Sequence, residues 1–84
     1  MPFWVYVLDS HKDGQTYTGS TGDLNRRLRD HYEGRVPATR HRRPLSLVYI
    51  EQFKTRAEAA RRERFFKTPE GGSEKQRLIR QDSS

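Results

Sequence analysis

One continuous apolar run, from Phe3 to Leu8, constrains the fold of this 84-residue chain more than any other feature. The run contains two valines and three aromatic residues and shows no apolar–polar alternation. Such a composition is typical of a β-strand covered on both faces, because a strand with one face in water alternates apolar and polar side chains. The run therefore predicts a central strand packed on both sides, and it is far too short to span a bilayer.

Turn and capping signals divide the remainder of the chain into short elements. A turn cluster from Asp9 to Gly14 ends in Asp-Gly, which predicts a hairpin whose returning strand runs from Gln15 to Gly19. The predicted elements that follow are a helix from a cap at Thr21 or Asp23 to about Glu33, a strand from Leu45 to Phe53, a helix from the Thr55 capping box to about Lys67, and a short helix from Ser73. Pro69 and the pair Gly71-Gly72 are expected to interrupt the chain before the last helix.

This order, β-β-α-β-α-α, predicts an α+β fold in which a small antiparallel sheet of about three strands is flanked by helices. A single domain over residues 1–80 is expected, because the chain is too short for two cores, and residues 81–84 are expected to fray. Apolar residues make up only 31% of the chain, but one tryptophan, four tyrosines and four phenylalanines support a thin aromatic core. Such a core excludes a large enclosed apolar pocket for a drug-sized cofactor.

The chain contains no cysteine. This excludes disulfides, thiolate zinc sites and cysteine nucleophiles, and a domain of this size without disulfides is typical of a reducing compartment. The N-terminus lacks a charged segment followed by an apolar stretch and a cleavage site. We therefore expect a cytoplasmic protein that does not associate with a membrane.

Basic residues outnumber acidic residues, with 17 Lys and Arg against 11 Asp and Glu, for a formal net charge of +6. Guanidinium groups bind phosphate oxygens bidentately and stack on bases, so an excess of arginine favours a nucleic-acid partner. A solvated charged surface would give the same composition. The arginines expected to contact nucleic acid lie in the predicted loop after the first helix: Arg35, Arg40, Arg42 and Arg43.

Three groups of residues are candidates for catalytic chemistry. Arg27 and His31 lie four apart on the first predicted helix and project to one side of it. Glu63 falls within the apolar sector of the second predicted helix, where a carboxylate requires a cation or a metal. Tyr6 and Tyr17 lie on the two arms of the predicted hairpin, where pairing brings both hydroxyl groups toward one face.

Each group also has an interpretation without function. Arg27 and His31 would then be ordinary surface residues. Glu63 would pair with Lys67 at i, i+4 or with an arginine, and the tyrosines would pack in the core. Together, however, the groups supply what metal-dependent phosphodiester hydrolysis needs: a carboxylate for Mg²⁺, an arginine for the phosphate, and hydroxyl or imidazole groups for the attacking water.

Four short motifs occur in order along the chain: Trp4-Val5-Tyr6, then Tyr17-Thr18-Gly19, then Asp23 to Leu28 with His31, then Arg61-Arg62-Glu63-Arg64. In this order and spacing they resemble the GIY-YIG endonuclease superfamily, and most closely its small single-domain bacterial members of the UPF0213 type. The resemblance covers nearly the whole chain, to about Lys67. Trp4 and Thr18 stand where the family name has Gly and Ile.

The resemblance implies roles for five residues. Tyr6 and Tyr17 correspond to the two motif tyrosines, one of which is or orients the general base. Arg27 corresponds to the catalytic arginine, and His31 lies where members carry a His or Tyr near the scissile phosphate. Glu63 corresponds to the carboxylate that binds a divalent ion, Mg²⁺ or Mn²⁺. Because the pKa of free tyrosine is ~10, a tyrosine serves as base only if a cation and Arg27 lower its pKa; otherwise the base is His31.

The resemblance therefore implies a metal-dependent endonuclease that hydrolyses DNA phosphodiester bonds in repair or processing and leaves a 5′-phosphate. One alternative is a non-catalytic DNA- or RNA-binding module of the same fold. Another is an adaptor bound to an acidic partner protein. Because members of the family usually work attached to a DNA-binding or partner domain, targeting is expected to use a partner protein or self-association.

Overall fold

The apolar run near the N-terminus forms the central strand of a three-stranded antiparallel sheet, as the sequence predicts. The computed structural model describes residues 1–82 and orders the strands β2 (Thr16–Thr21), β1 (Phe3–Ser10) and β3 (Leu45–Phe53). Residues 5–8 are at most 1% exposed, so β1 is buried on both faces. The apolar run thus lies where only apolar side chains are tolerated on both sides.

Three helices follow the predicted order and confirm the α+β class. They are α1 (Leu24–Tyr32), α2 (Arg56–Phe66) and α3 (Pro69–Asp82). The carboxylate of Asp23 caps α1 by accepting a hydrogen bond from the backbone N–H of Arg26. Thr55 and Glu58 form the predicted capping box of α2. A single 3₁₀ turn, Arg40–Arg42, lies in the loop between α1 and β3.

The two faces of β1 pack against different helices. Val5 and Val7 project to the face covered by α2 and α3, where they form the core with Ala59 and Phe66. Tyr6 projects to the opposite face, because side chains alternate along a strand. That face is covered by α1, which contacts Tyr6. The sheet therefore separates an apolar core on one side from a partly polar interior on the other.

Apolar residues recur at positions 24, 28 and 32 of α1, which predicts that this stripe faces the core. Leu24 and Leu28 are half-buried, but for Tyr32 the prediction is wrong. Tyr32 is 44% exposed, whereas the neighbouring His31 is fully buried. Both ring nitrogens of His31 are hydrogen-bonded inside the protein, so its burial leaves no polar atom without a partner. The last turn of α1 thus turns a polar side chain inward and leaves an aromatic ring in solvent.

The predicted interruption before the last helix is also wrong, because α3 begins at Pro69 and includes both glycines. Proline is well suited to the first helical turn, where its missing N–H costs nothing. Gly71 allows the start of α3 to approach α2, since a Cβ there would collide with the carbonyl oxygen of Phe65. Gly71 and Gly72 therefore do not end a helix; they lie within α3, and Gly71 allows its close contact with α2.

The C-terminal end of α3 extends two residues beyond the predicted domain, through positions 81 and 82 of the segment expected to fray. Residues 83–84 lie outside the part of the chain that the structure describes. Within residues 1–82, none of the helices has both the length and the apolar character that crossing a membrane requires.

Candidate active site

The register of the hairpin brings the two candidate tyrosines to one face of the sheet. Leu8 pairs with Tyr17, and Tyr6 pairs with Gly19, so Tyr6 and Tyr17 both project toward α1. Their ring centroids are 6.5 Å apart. The Tyr6 ring lies directly over Gly19, where a Cβ atom would collide with the Tyr6 hydroxyl group. The glycine of the second motif therefore makes the space in which the Tyr6 hydroxyl sits.

His31 lies behind Tyr6 in a buried chain of hydrogen bonds. Its Nε2 atom is 2.8 Å from the Tyr6 hydroxyl oxygen, and its Nδ1 atom is 2.8 Å from the Thr39 hydroxyl oxygen. Thr39, like His31, is fully buried. The Tyr17 ring packs against the imidazole at a centroid distance of 5.2 Å. Elements distant in sequence thus meet around one imidazole.

The hydrogen bonds of His31 fit two proton arrangements. In the first, Thr39 donates to Nδ1 and Nε2–H donates to Tyr6; in the second, Tyr6 donates to Nε2 and Nδ1–H donates to Thr39. Both hydroxyl groups are buried, and each arrangement leaves one hydroxyl proton without an acceptor among residues 1–82. In the first arrangement that proton belongs to Tyr6, whose oxygen also adjoins Arg27.

The titration of these groups follows from their burial. Burial, with the nearby charge of Arg27, lowers the pKa of His31 to about 4, so the imidazole is neutral at pH 7. Burial also raises the pKa of Tyr6, and this effect outweighs the opposing contact with Arg27. The free protein therefore holds Tyr6 as a neutral phenol. The lowering of the Tyr6 pKa that a general base requires is absent from the free chain.

Arg27 lies one turn before His31 on α1, as predicted. Its guanidinium group adjoins the Tyr6 hydroxyl, and this contact raises the pKa of Arg27 further above its ordinary value. Arg27 also borders an open cleft of about 490 Å³, which we call the Arg27 cleft. Ser20 lies on its border, and Arg26 and Arg56 line it together with two aspartates. The Arg27 cleft is therefore a polar, arginine-rich space next to the buried hydrogen-bond chain.

Glu63 reaches the same region from α2. Its Oε1 atom accepts a hydrogen bond from the Ser20 hydroxyl at 2.6 Å, and its Oε2 atom accepts one from Lys67 Nζ at 2.8 Å. Partial burial alone would raise the pKa of Glu63, but the hydrogen bonds from Lys67 and Ser20 lower it below its ordinary value. Glu63 is therefore ionised at neutral pH, and the i, i+4 pair with Lys67 that the sequence allows does form.

The carboxylate of Glu63 is also close enough to Tyr6 for its charge to raise the pKa of the phenol. Among residues 1–82, no group of three or more His, Asp and Glu side chains could hold a metal ion. Glu63 thus offers one ionised carboxylate beside the hydroxyl of Ser20. This donor set suits a hard cation that keeps most of its water or phosphate ligands, as Mg²⁺ does.

The four arginines predicted to contact nucleic acid differ in their partners. Arg42 binds Asp13 at 2.7 Å and the backbone carbonyl of Gln15, which joins the 3₁₀ turn to the hairpin; its hydrogen bond lowers the pKa of Asp13 to about 2. Arg35 forms ion pairs with Asp30 at 3.3 Å and with Glu33 at 2.5 Å. These two arginines therefore have acidic partners within the protein.

The other two predicted arginines lack acidic partners. Arg43 donates from Nε to the backbone carbonyl of Arg40 at 3.1 Å, and its guanidinium lies against Gly34. The side chain of Arg40 forms no ion pair among residues 1–82. Both arginines line a second open cleft, which is separate from the Arg27 cleft.

Sequence reasoning missed four residues of this region. Thr39 and Ser20 complete the hydrogen bonds of His31 and Glu63, and Arg26 and Arg56 line the Arg27 cleft. A short hydroxyl side chain in a loop or edge strand gives no periodic or compositional signal. Arg26 and Arg56 could have been found from the predicted helices, because each lies in the first turns of a helix that also carries a candidate residue.

Comparisons with known proteins show what this chain is similar to. The family model described as the GIY-YIG catalytic domain matches residues 2–76. A UPF0213 protein of Streptococcus agalactiae is 44% identical over 68 residues, which are 80% of this chain and 76% of that protein. A UPF0213 protein of Staphylococcus saprophyticus is 41% identical over 66 residues, which are 77% of this chain and 79% of that protein.

A solved structure is similar in fold as well as in sequence. The solution NMR structure of a UPF0213 protein from Bacillus halodurans is 36% identical, with a TM-score of 0.57. The similarity covers 93% of this chain and 85% of that chain. The sheet order and helix order described above are therefore shared with a relative whose structure was determined by experiment.

Proposed function

This chain belongs to the GIY-YIG catalytic domain family, a family of nucleases, and we propose that it is a metal-dependent endonuclease that hydrolyses phosphodiester bonds in DNA. The observation that carries the proposal is the convergence of two groups on one hydroxyl. The phenolic oxygen of Tyr6 lies 2.8 Å from Nε2 of His31 and adjoins the guanidinium of Arg27, and we assign the proton of the His31–Tyr6 hydrogen bond to Nε2. We propose DNA repair or processing as the cellular role of this activity.

Arg27 and the Arg27 cleft account for binding of the phosphate. A guanidinium group forms bidentate hydrogen bonds with phosphate oxygens and neutralises the charge that develops on them in the transition state. Arg26 and Arg56 lie along the same cleft and add sequence-independent attraction for the strand on either side. The scissile phosphate is thereby placed next to Ser20 and Glu63, which are hydrogen-bonded to each other.

Glu63 is the residue that would hold Mg²⁺, with Mn²⁺ as the other candidate. Its carboxylate is ionised and is hydrogen-bonded to Ser20, which lines the Arg27 cleft; in the free protein its Oε2 atom accepts a hydrogen bond from Lys67. The Lys67 side chain is half exposed and has a flexible four-carbon stem, so it can move into solvent when a divalent ion binds the carboxylate. When bound, the ion supplies positive charge beside the phosphate and the attacking water.

Tyr6 is the residue that we assign as general base. Burial opposes phenolate formation and raises the pKa of Tyr6 in the free protein, whereas the adjoining charge of Arg27 and a hydrogen bond from His31 Nε2–H favour the phenolate. In the phenolate form, Tyr6 takes a proton from water, and the water oxygen attacks phosphorus. The bond to the 3′-oxygen then breaks, the 3′-oxygen takes a proton from solvent, and a 5′-phosphate remains.

His31 and Tyr17 have separate parts in this scheme. His31 stays neutral, because burial and Arg27 hold its pKa at about 4. Both of its ring nitrogens are hydrogen-bonded inside the protein and the side chain is fully buried, so neither nitrogen meets water. We therefore assign His31 as a positioning residue that donates to Tyr6, and not as the base. The hydroxyl of Tyr17 has no hydrogen-bond partner among residues 1–82, although its ring packs against His31, so it is free to bind substrate.

One observation favours the alternative of a non-catalytic nucleic-acid-binding module. Both carboxylate oxygens of Glu63 are already hydrogen-bonded, which is also what a purely structural ion pair requires. Incubation of the pure protein with single-stranded, duplex and branched DNA and with RNA, in Mg²⁺, Mn²⁺ or EDTA, distinguishes the two functions. Nicking that EDTA abolishes supports the nuclease; salt-sensitive binding without nicking in either metal supports the module.

A further inference from the structure

A second open cleft lies beside the loop that carries Thr39. Its volume is about 560 Å³, and it lies between the hairpin turn, the end of α1 and the 3₁₀ turn. The side chains that give it its chemistry are Lys12, Tyr32, Arg40, His41 and Arg43. Pro44 and Leu45 complete the lining, and no acidic residue contributes to it. We call this space the basic cleft.

The positive charge of the basic cleft is not neutralised within the described chain. The acidic residues near it are already paired, since Glu33 binds Arg35 and Asp13 binds Arg42. Arg43 donates only to backbone carbonyl groups. Arg40 forms no ion pair among residues 1–82, and neither does Lys12. Uncompensated cations around a concave surface attract an anion such as phosphate.

Tyr32 gives the basic cleft an aromatic surface. It is 44% exposed although it is a large aromatic residue, and its ring packs against no other aromatic ring among residues 1–82. An exposed ring flanked by cations is the combination that binds single-stranded nucleic acid, because bases stack on the ring and phosphates lie on the cations. A base within a duplex is already stacked and cannot use this ring.

The basic cleft is joined to the candidate active site by two pairs of neighbouring residues. Tyr32 follows His31, and Arg40 follows Thr39, with consecutive Cα atoms about 3.8 Å apart. His31 and Thr39 are themselves hydrogen-bonded to each other in the buried chain behind Tyr6. The basic cleft is thus lined by the immediate neighbours of two residues in the buried chain, on a molecule whose Cα atoms extend only 29 × 27 × 24 Å, so one strand can contact both clefts.

We propose that the basic cleft binds an unpaired nucleotide of a DNA strand, with its base on Tyr32 and the adjoining phosphate on Arg40 and Lys12. This inference deepens the proposed nuclease function and rests on it, because it names the substrate as DNA with a single-stranded segment next to the cut. The exposure of Tyr32, which the apolar pattern of α1 does not predict, then has a function. The protein prefers single-stranded or branched DNA to a blunt duplex.

Binding in EDTA tests the proposal without any cleavage. The affinity for a short single-stranded oligodeoxynucleotide and for the blunt duplex of the same sequence is measured for the parent protein, Tyr32→Ala and Tyr32→Phe. Tyr32→Ala is expected to weaken single-strand binding about tenfold and to leave duplex binding unchanged. Tyr32→Phe retains the ring and is expected to bind as the parent does.

Arg40→Ala tests the phosphate contact, and Arg35→Ala is its matched control. Each substitution removes one exposed arginine from the same segment. Arg40→Ala is expected to weaken single-strand binding and to reduce the salt dependence by about 0.7 in log–log slope. Arg35→Ala is expected to change neither, because Arg35 is paired with Asp30 and Glu33. Circular dichroism confirms that the variants are folded.

The outcomes separate this inference from the proposed function. Equal affinity of Tyr32→Ala and the parent for the single strand, or equal losses on single strand and duplex, overturns the assignment of the basic cleft even if the protein nicks DNA. Tyr32-dependent binding by a protein that cleaves no DNA in Mg²⁺ or Mn²⁺ overturns the nuclease and leaves the nucleotide-binding cleft in place.

Discussion

The phenolic oxygen of Tyr6 and Nε2 of His31 lie 2.8 Å apart between β1 and α1, and both residues are essentially inaccessible to solvent. A neutral imidazole donates from only one of its two nitrogens. Its second hydrogen bond joins Nδ1 to the Thr39 hydroxyl. In the proposed mechanism Thr39 donates to Nδ1 and Nε2–H donates to Tyr6, so replacing Thr39 tests the donor to Tyr6 without changing Tyr6 or His31.

Thr39→Val is expected to lower the cleavage rate on the order of tenfold, the effect of losing an outer partner of an active-site histidine. Without the hydroxyl, no donor to Nδ1 keeps Nε2–H directed at Tyr6, so the Tyr6 phenolate loses a donor and the pKa of Tyr6 rises. The acidic limb of the pH–rate profile, which reports deprotonation of the general base, then moves to higher pH. Thr39→Ser keeps the hydroxyl and is expected to retain the parent profile. A rate loss with an unshifted profile would contradict the positioning role.

The stability of the protein is expected to fall as the pH drops from about 6.5 to about 4 because of His31. Its pKa is near 4 in the folded state, below the ordinary value of 6.5, so the unfolded chain binds more protons in this window. The resulting loss is about 3 kcal/mol at pH 4. Urea unfolding of the parent and of His31→Gln at several pH values measures it; two parallel stability curves would rule out the burial of a neutral imidazole.

Gly19→Ala is expected to abolish most of the activity while leaving a folded protein. The new Cβ atom would overlap the Tyr6 hydroxyl, so the ring must move away from His31 and Arg27. Gly22→Ala serves as the comparison, because the nearest atom there is a ring carbon of Phe3 at 3.2 Å and only a small adjustment is needed. Steady-state cleavage rates and thermal unfolding are measured together; full activity of Gly19→Ala would show that the placement of Tyr6 is not critical.

Gly71→Ala and Gly72→Ala are expected to change stability in opposite directions. Alanine normally stabilises a helix interior relative to glycine, by about 1 kcal/mol, and Gly72 has only an ordinary van der Waals contact at 3.9 Å. At Gly71 the Cβ would collide with the Phe65 carbonyl, so Gly71→Ala should cost about 2 kcal/mol or more. Chemical denaturation checks this, and stabilisation by both substitutions would refute the close approach of α3 to α2.

Most of the fold could be predicted from local signals in the sequence. The apolar run of β1, the Asp-Gly turn, the third strand and the Thr55 capping box each depend on neighbouring residues only, and the structure confirms them. The start of α3 could not be predicted, because Gly71 is explained by the carbonyl of Phe65 on another helix. Contacts of that kind exist only after the chain has folded.

The candidate site could be predicted only in part, because several of its contacts join elements that are distant in the sequence. Motif spacing identified the residues with distinctive chemistry, and the fold brings Tyr6, Arg27 and His31 together. Thr39, the partner of His31, lies 8 residues away from it, and Ser20, the partner of Glu63, lies 43 residues away. Nothing in a lone hydroxyl residue indicates such a partner. The pairing of Arg42 with Asp13, which ties down one of the predicted nucleic-acid contacts, spans 29 residues and was equally invisible.

The assignment of Glu63 as the metal-binding carboxylate is tested by the rate of Mg²⁺-dependent DNA nicking by Glu63→Ala, compared with the parent. Glu70→Ala is the matched control, because it removes an exposed glutamate that forms no ion pair among residues 1–82. The account predicts metal-dependent nicking by the parent and by Glu70→Ala, and loss of nicking, by about 100-fold or more, in a folded Glu63→Ala protein. Nicking by Glu63→Ala at the parent rate would contradict it.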